Sequence, residues 1–189
     1  GLEGGRDCEI PADYRFMRPT DLCTTVAHGD VSVATIEHLM AALRAAEVDN
    51  VVVEIDGPEV PVMDGSADAF LCAFDQSGVK VLAAGRRYIQ VERPVRIEMG
   101  NSFAEFRPHA GSRVEVEIDF ANPLIGRQAI VVDVSPESFR KDLARARTFG
   151  FLADVEALWA RGLCLGASLD NAIVVGEDRV INPEGLRFN

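Results

Sequence analysis

The sequence predicts an α+β fold of two units, each a β-sheet layered against helices, and three observations carry that prediction. Apolar side chains recur at helical spacing over 36–43 and 70–74, and they alternate at strand spacing between residues 88 and 134. A small and basic stretch, Ala83-Ala84-Gly85-Arg86-Arg87, separates the two patterns. A boundary near residue 85 therefore divides a first unit (1–85) from a second (86–189), which carries a small inserted helix-strand unit.

In the first unit Ile36, Leu39, Met40 and Leu43 fall at i, i+3, i+4 and i+7. This spacing predicts a helix over 35–46 with one buried stripe, capped by Thr35 or Ser32. At 100° per residue His38 points away from that stripe and shares its side with Ala41, Ala42 and Ala45, which are small enough to let another element approach closely. Val51-Val52-Val53-Glu54-Ile55 reads as a strand over 50–56, closed by Gly57-Pro58. A second helix follows over 67–77, with Phe70, Leu71 and Phe74 inward and Gly78 as its stop.

In the second unit strands are predicted at 88–91, 95–98, 104–107, 114–120 and 128–134. Ser135 as cap and Pro136 at the first position open a helix reaching about Ala146. After Arg147-Thr148-Phe149-Gly150-Phe151 come a short apolar helix (155–161), Gly162 and a strand over 171–175.

Composition limits the function classes. With 48% hydrophobic and 26% charged residues, the 189-residue chain can fill one large or two small cores. A net charge of -11 argues against nucleic acid as a partner, because phosphate neutralisation needs clustered Lys and Arg. An anionic small substrate stays open where basic groups are local. Cys8, Cys23, Cys72 and Cys164 form no C-x-x-C pair, so reduced thiols and a cytoplasmic location are expected. No run approaches the roughly 20 apolar residues of a transmembrane segment. The opening residues lack the pattern of a signal peptide. The closing segment Asn182 to Asn189 reads as the approach to another element, so the chain is expected to be a fragment.

Chemistry concentrates at Glu37-His38, where a carboxylate stands beside an imidazole at a helix start. The pair suits a metal-held water and its base, yet a zinc site takes about three protein ligands, and the histidines are His28, His38 and His109. The plainer reading is a dipole-favoured carboxylate next to a surface histidine. Asp64-Gly65-Ser66 is a catalytic loop or, more simply, a turn or helix cap. Thr148 offers a hydroxyl to an oxyanion or satisfies local backbone. Val155, Leu158, Leu163, Cys164, Leu165, Ala172 and Val174 form an apolar group that is core or a lined groove. Asp119-Phe120 ends a strand where the ring could stack on a base.

Five pieces occur in order: Leu22-Cys23-Thr24-Thr25, the run from Ser32 to Leu43 around Glu37-His38, the run from Pro58 to Ala67, Ala146-Arg147-Thr148-Phe149-Gly150-Phe151, and Asn182-Pro183-Glu184-Gly185-Leu186-Arg187. Together they resemble the zinc-dependent UDP-3-O-acyl-N-acetylglucosamine deacetylases of bacterial lipid A synthesis. The resemblance implies a two-domain fold with the site at the interface, Zn2+ as cofactor, and hydrolysis of the N-acetyl group of a UDP-linked acylated amino sugar. It makes His38 a zinc ligand, Glu37 the general base and Thr148 the oxyanion donor. It puts Val155, Cys164, Ala172 and Val174 along an acyl passage, Asp119 and Phe120 at the uracil, and Phe149 and Phe151 against substrate.

Several family features are missing. The opening Gly-Leu-His motif, the His-Lys-x-x-Asp helix with two further zinc ligands and the later catalytic histidine have no counterpart here, and Asp21 and Asn122 depart from the family pattern. The chain alone is therefore expected to be inactive. The rival expectations are a non-catalytic module that binds acyl groups and nucleotide sugars, and part of a bifunctional deacetylase-dehydratase.

Overall fold

The computed structural model describes residues 8–187. Its helices and small sheets give the α+β class that the sequence predicts. Strands β1 (Met17–Arg18), β2 (Thr25–His28) and β3 (Val31–Val33) form an antiparallel sheet in chain order. These strands are too short for alternation to reveal them. Gly29, at φ +61°, opens the two-residue turn between His28 and Val31, the position that a type II′ hairpin reserves for glycine.

Helix α1 (Glu37–Ala45) forms where predicted, but two details differ. The buried arc contains Leu39, Ala42, Leu43 and Ala45, while Met40 faces out at 37% exposure. The alanine side is the reason: Ala42 and Ala45 let Leu71 and Ala67 approach closely, so the helix turns that side to the core. Leu39 and Leu43 pack with Val60 in the adjoining cluster. Neither Thr35 nor Ser32 caps α1. Thr35 adopts φ +57°, and its hydroxyl donates to Glu59 Oε1 at 2.6 Å, fastening the helix start to the segment that follows Pro58.

Helix α2 (Asp68–Ser77) ends at Gly78, whose φ of +71° and N–H bond to the Phe74 carbonyl make the expected stop. The strand predicted over 50–56 is absent: Val52 is 84% exposed, and no described strand pairs with this run. The run over 88–91 is likewise irregular, with Ile89 96% exposed. Apolar β-branched composition favours extension, but a strand exists only where a neighbour completes its hydrogen bonds.

The remaining strands match the alternation to within two residues. They form the hairpins β4 (Val95–Met99) with β5 (Ser102–Phe106), and β6 (Arg113–Asp119) with β7 (Arg127–Asp133). One face of the second hairpin pairs Val114 with Val132 and Val116 with Ile130. The other face carries the Arg113–Asp133 and Arg127–Glu117 ion pairs. The apolar faces are largely open, with Ile97 at 70% and Phe106 at 69% exposure. The accessible surface of 14364 Å² accordingly exceeds the about 9,000 Å² that size scaling gives a folded monomer of this mass.

Ser135 and Pro136 do open a helix, α3 (Pro136–Ser138), with a reciprocal Ser135–Ser138 capping box. It does not continue as an α-helix to 146. A π turn over Phe139–Leu143 replaces it, closed by Ala144 N–H on the Phe139 carbonyl at 2.7 Å. Tertiary contacts then claim the chain, because Ala144 is fully buried on α1 and α2 and its carbonyl accepts from Ala67 N–H at 3.0 Å. Beyond it lie β8 (Phe149–Phe151), α4 (Leu152–Ala160) and β9 (Ile173–Val175), with β8 and β9 parallel. Among the described residues no helix is long and apolar enough to cross a membrane.

A buried clasp joins these parts. Arg147, whose side chain is 4% exposed, donates Nε to the Asp64 carbonyl at 2.6 Å, Nη1 to Leu169 O at 3.3 Å and Glu184 Oε1 at 3.0 Å, and Nη2 to Asp170 O. The Asp64 carboxylate accepts from the Ser66 hydroxyl at 2.7 Å and from Arg187 Nη2 at 2.6 Å. Asn182 completes the clasp: its amide donates to Leu169 O and Ala172 O and accepts from Val174 N–H at 2.7 Å. Asp64 is thus a turn and clasp residue rather than a helix cap.

Leu71, with no exposed surface, is the keystone of the α1–α2 contact. Leu71→Ala is expected to cost about 2–5 kcal/mol in urea unfolding. Burial raises the Asp64 pKa, but the Ser66 hydroxyl and the Arg187 guanidinium outweigh it and hold the carboxyl below its usual range. A carboxyl depressed in the folded state stabilises above its ordinary pKa and loses that contribution as pH falls through the depressed value. Asp64→Asn should therefore flatten the acid limb of a plot of stability against pH below about 4; an unchanged limb would contradict this assignment.

Candidate functional site

The first turn of α1 presents Glu37 and His38, both half-buried, to an open cavity of about 290 Å³. Ala41 and Ala67 line one part of it, and Phe139, Leu143 and Ala146 line the rest. The cavity thus lies where the π turn closes against α1. His38 reaches it because its helix side is the alanine side, where there is no bulky neighbour to cover the ring.

Glu37 is anchored from the sheet side. Its Oε2 accepts the Thr24 backbone N–H at 2.9 Å, and the adjoining Ile36 N–H donates to the Thr24 carbonyl at 3.2 Å. The end of the β1–β2 loop therefore fixes both the helix start and the carboxylate. This amide has no cue in the sequence, since a backbone donor leaves no residue-type signature.

Thr148 sits one residue beyond the clasp. Its N–H donates to the Gly65 carbonyl at 3.0 Å, and its own carbonyl accepts from Ile173 N–H at 3.0 Å. Its side chain is exposed. It does not line the cavity itself, though Ala146 and Ala67, on either side of the same seam, do.

The expected substrate residues separate into two groups. Phe120, Phe149 and Phe151 meet, with centroids at 5.3 Å for Phe120–Phe149 and 5.9 Å for each of the other two pairs. Phe149 and Phe151 share a face with the buried Ile173 and Val175, as the parallel register requires. Val174, opposite Gly150, lies on the other face, with Ala172 at the same alternation. Val155 is half-buried on α4, and Cys164, at φ +55°, is exposed. Leu152 at 49%, Trp159 at 52% and Leu165 at 74% exposure make this insert an open apolar surface rather than packed core. Asp119, exposed, closes β6 opposite Arg127.

The two unusual residues both make contacts. Asp21 pairs with Arg161 at the end of α4 at 2.7 Å, and Asn122 bridges Leu124 N–H and the Gly176 carbonyl.

His38 suits zinc in kind, as a half-buried imidazole on a cavity beside a carboxylate. Number is another matter. Among the described residues no group of three His, Cys, Asp or Glu side chains could hold a metal ion. The donors described here do not by themselves complete a zinc shell, which takes about three protein ligands.

Residues 2–189 match the model of the UDP-3-O-acyl N-acetylglycosamine deacetylase family. The chain is 56% identical over 170 residues to proteins named UDP-3-O-acyl-N-acetylglucosamine deacetylase from Brucella ovis, Brucella abortus and Brucella melitensis. Each alignment covers 89% of this chain and 59% of the relative's length. At that identity, and with a family match spanning nearly all its residues, the chain belongs to the UDP-3-O-acyl N-acetylglycosamine deacetylase family.

Proposed function

We propose that the full-length protein hydrolyses the N-acetyl group of a UDP-linked 3-O-acylated N-acetylglucosamine in lipid A synthesis. The observation that carries this reading is the pairing of Glu37 and His38 on one cavity wall in a chain of this family. Water adds to the acetamide carbonyl, the C–N bond breaks, and acetate and the free amine leave. Glu37 is the proton acceptor, with the Thr24 amide holding one of its oxygens and the other oxygen available for the transfer. The Thr148 hydroxyl donates to the oxyanion as it develops. His38 supplies one imidazole nitrogen to Zn2+, and further ligands come from outside the described residues. The metal, when held, polarises the acetamide carbonyl.

The aromatic trio of Phe120, Phe149 and Phe151 with Asp119 serves the uracil side, and Val155, Cys164, Ala172 and Val174 flank the acyl chain. The open apolar surface around α4 supports that assignment, since a lipid chain laid on it would cover Leu152 and Trp159. The location is cytoplasmic, in keeping with four free thiols. A unit boundary near residue 85 falls in the irregular stretch between α2 and β4.

In the full-length gene product Glu37→Ala should retain zinc by metal analysis while kcat falls by about 10²-fold or more; unchanged turnover would remove Glu37 as the base. The isolated 189-residue chain should take up no stoichiometric zinc after dialysis, because one imidazole does not hold the ion firmly. One tightly held zinc per chain would refute that.

A further inference from the structure

Helix α1 begins without a side-chain cap, so its start is held by neighbours instead. On one side stands Thr24, whose carbonyl accepts the Ile36 N–H at 3.2 Å and whose own N–H donates to Glu37 Oε2 at 2.9 Å. On the other side runs the segment after Gly57: Ala34 N–H donates to the Pro58 carbonyl at 2.9 Å, and Val60 N–H donates to the Ala34 carbonyl at 3.0 Å. Thr35 lies between the two supports. It is buried, and its φ of +57° lies in the left-handed region, which a β-branched residue rarely enters. Such a conformation is costly and persists only where the surroundings hold it.

The Thr35 hydroxyl donates to Glu59 Oε1 at 2.6 Å, the length of a hydroxyl bond to a carboxylate. The backbone bonds fix Ala34, and this one extends the hold to the strained residue itself. Relaxation at Thr35 would turn the next peptide, whose N–H is that of Ile36, off the Thr24 carbonyl, and the Glu37 carboxylate would lose its place on the Thr24 amide. We infer that Glu59 is a positioning residue for the reaction: by holding the Thr35 hydroxyl it keeps the left-handed turn from which α1 starts, and so keeps the Glu37 carboxylate on the Thr24 amide. Glu59, itself exposed, acts through Thr35 and Thr24 and not on the substrate. The inference rests on the proposed role of Glu37 as proton acceptor. It also explains why Thr35, by type a good helix cap, turns its hydroxyl away from its own helix.

The test uses the zinc-loaded, full-length gene product with UDP-3-O-acyl-N-acetylglucosamine and the variants Glu59→Ala, Glu59→Gln, Glu37→Ala and the pair of alanine changes. Glu59→Ala should lower kcat by about tenfold or more, with KM within about twofold and zinc content unchanged. Hydrogen exchange at the Thr24 and Ile36 amides should quicken, while the Leu71 amide, bonded to the Ala67 carbonyl, stays protected. Glu59→Gln keeps an acceptor for the hydroxyl and should retain most of its turnover. On the residual turnover of Glu37→Ala, Glu59→Ala should cost less than about twofold, because the group it places is gone. Wild-type kcat in Glu59→Ala, or losses that multiply in the pair, would overturn the proposal while leaving Glu37 as the base. So would a loss in Glu59→Gln equal to that in Glu59→Ala. Unchanged turnover in Glu37→Ala would remove the base, and the positioning role with it. If Glu59→Ala does not fold, Thr35→Gly decides, since glycine enters the left-handed region freely. Adding Glu59→Ala to it should then give a folded enzyme with kcat within about twofold of Thr35→Gly alone, and a further loss of about tenfold would overturn the proposal.

Discussion

The clasp around Arg147 is the constraint on which the rest depends. A guanidinium buried this deeply is tolerated only when its donors are met, and here backbone carbonyls of Asp64, Leu169 and Asp170 and the Glu184 carboxylate meet them. Three carbonyls from two separated turns thus become fixed points. Because removing any of them would leave a buried guanidinium N–H unpaired, the turns cannot drift apart without loss. The Asp64–Arg187 ion pair and the Asn182 amide extend the same logic to the end of the described chain. Salt bridges on the hairpin surfaces, exposed and screened, contribute far less.

The packing is divided. Small residues dominate the α1–α2 contact, with Ala42, Ala45, Ala67 and Ala144 around Leu71, while a second cluster forms about Ile125, Ile173 and Val175. The hairpins β4–β5 and β6–β7 keep much of their apolar faces in contact with water. Two-stranded ribbons gain little stability alone, so the order of this protein comes from the two clusters and from the polar seam that joins them. The π turn belongs to that seam, since it delivers Ala144 to one cluster and hands the chain on to Arg147.

The candidate site inherits this layout. Its carboxylate and imidazole sit on α1 and the opposite wall comes from the π turn, while Thr148, which follows the clasp residue Arg147, stands outside the cavity lining. Glu37-His38 stood out as a candidate because two reactive side chains are adjacent, and Thr148 because its motif resembles a known family; of the three, Glu37 and His38 line the cavity. Thr24 was not legible as the anchor of Glu37, since its contribution is a main-chain amide. Asp64 looked like an ordinary turn residue; its second role needs Arg187, 123 positions away in sequence. Of the residues expected to meet substrate, strand alternation puts Phe149 and Val174 on opposite faces.

Local physics was enough to specify α1, α2, the strands β4 to β7 and the Ser135–Pro136 helix start, because periodicity, turn glycines and caps act over a few neighbouring residues. The same rules misjudged 50–56 and 88–91, where extended propensity is real but no described neighbour completes a ladder, and Met40, which lost its place in the core to two alanines. They also missed Thr35, whose hydroxyl serves Glu59 instead of its own helix. The amino-acid order by itself determined which segments can coil, alternate or turn, and which side chains are chemically suited to a site. Tertiary structure alone decided which helix side is buried, where the helix after Ser135 gives way to a π turn, and how Glu59 comes to meet Thr35, because each depends on atoms that approach from distant parts of the chain.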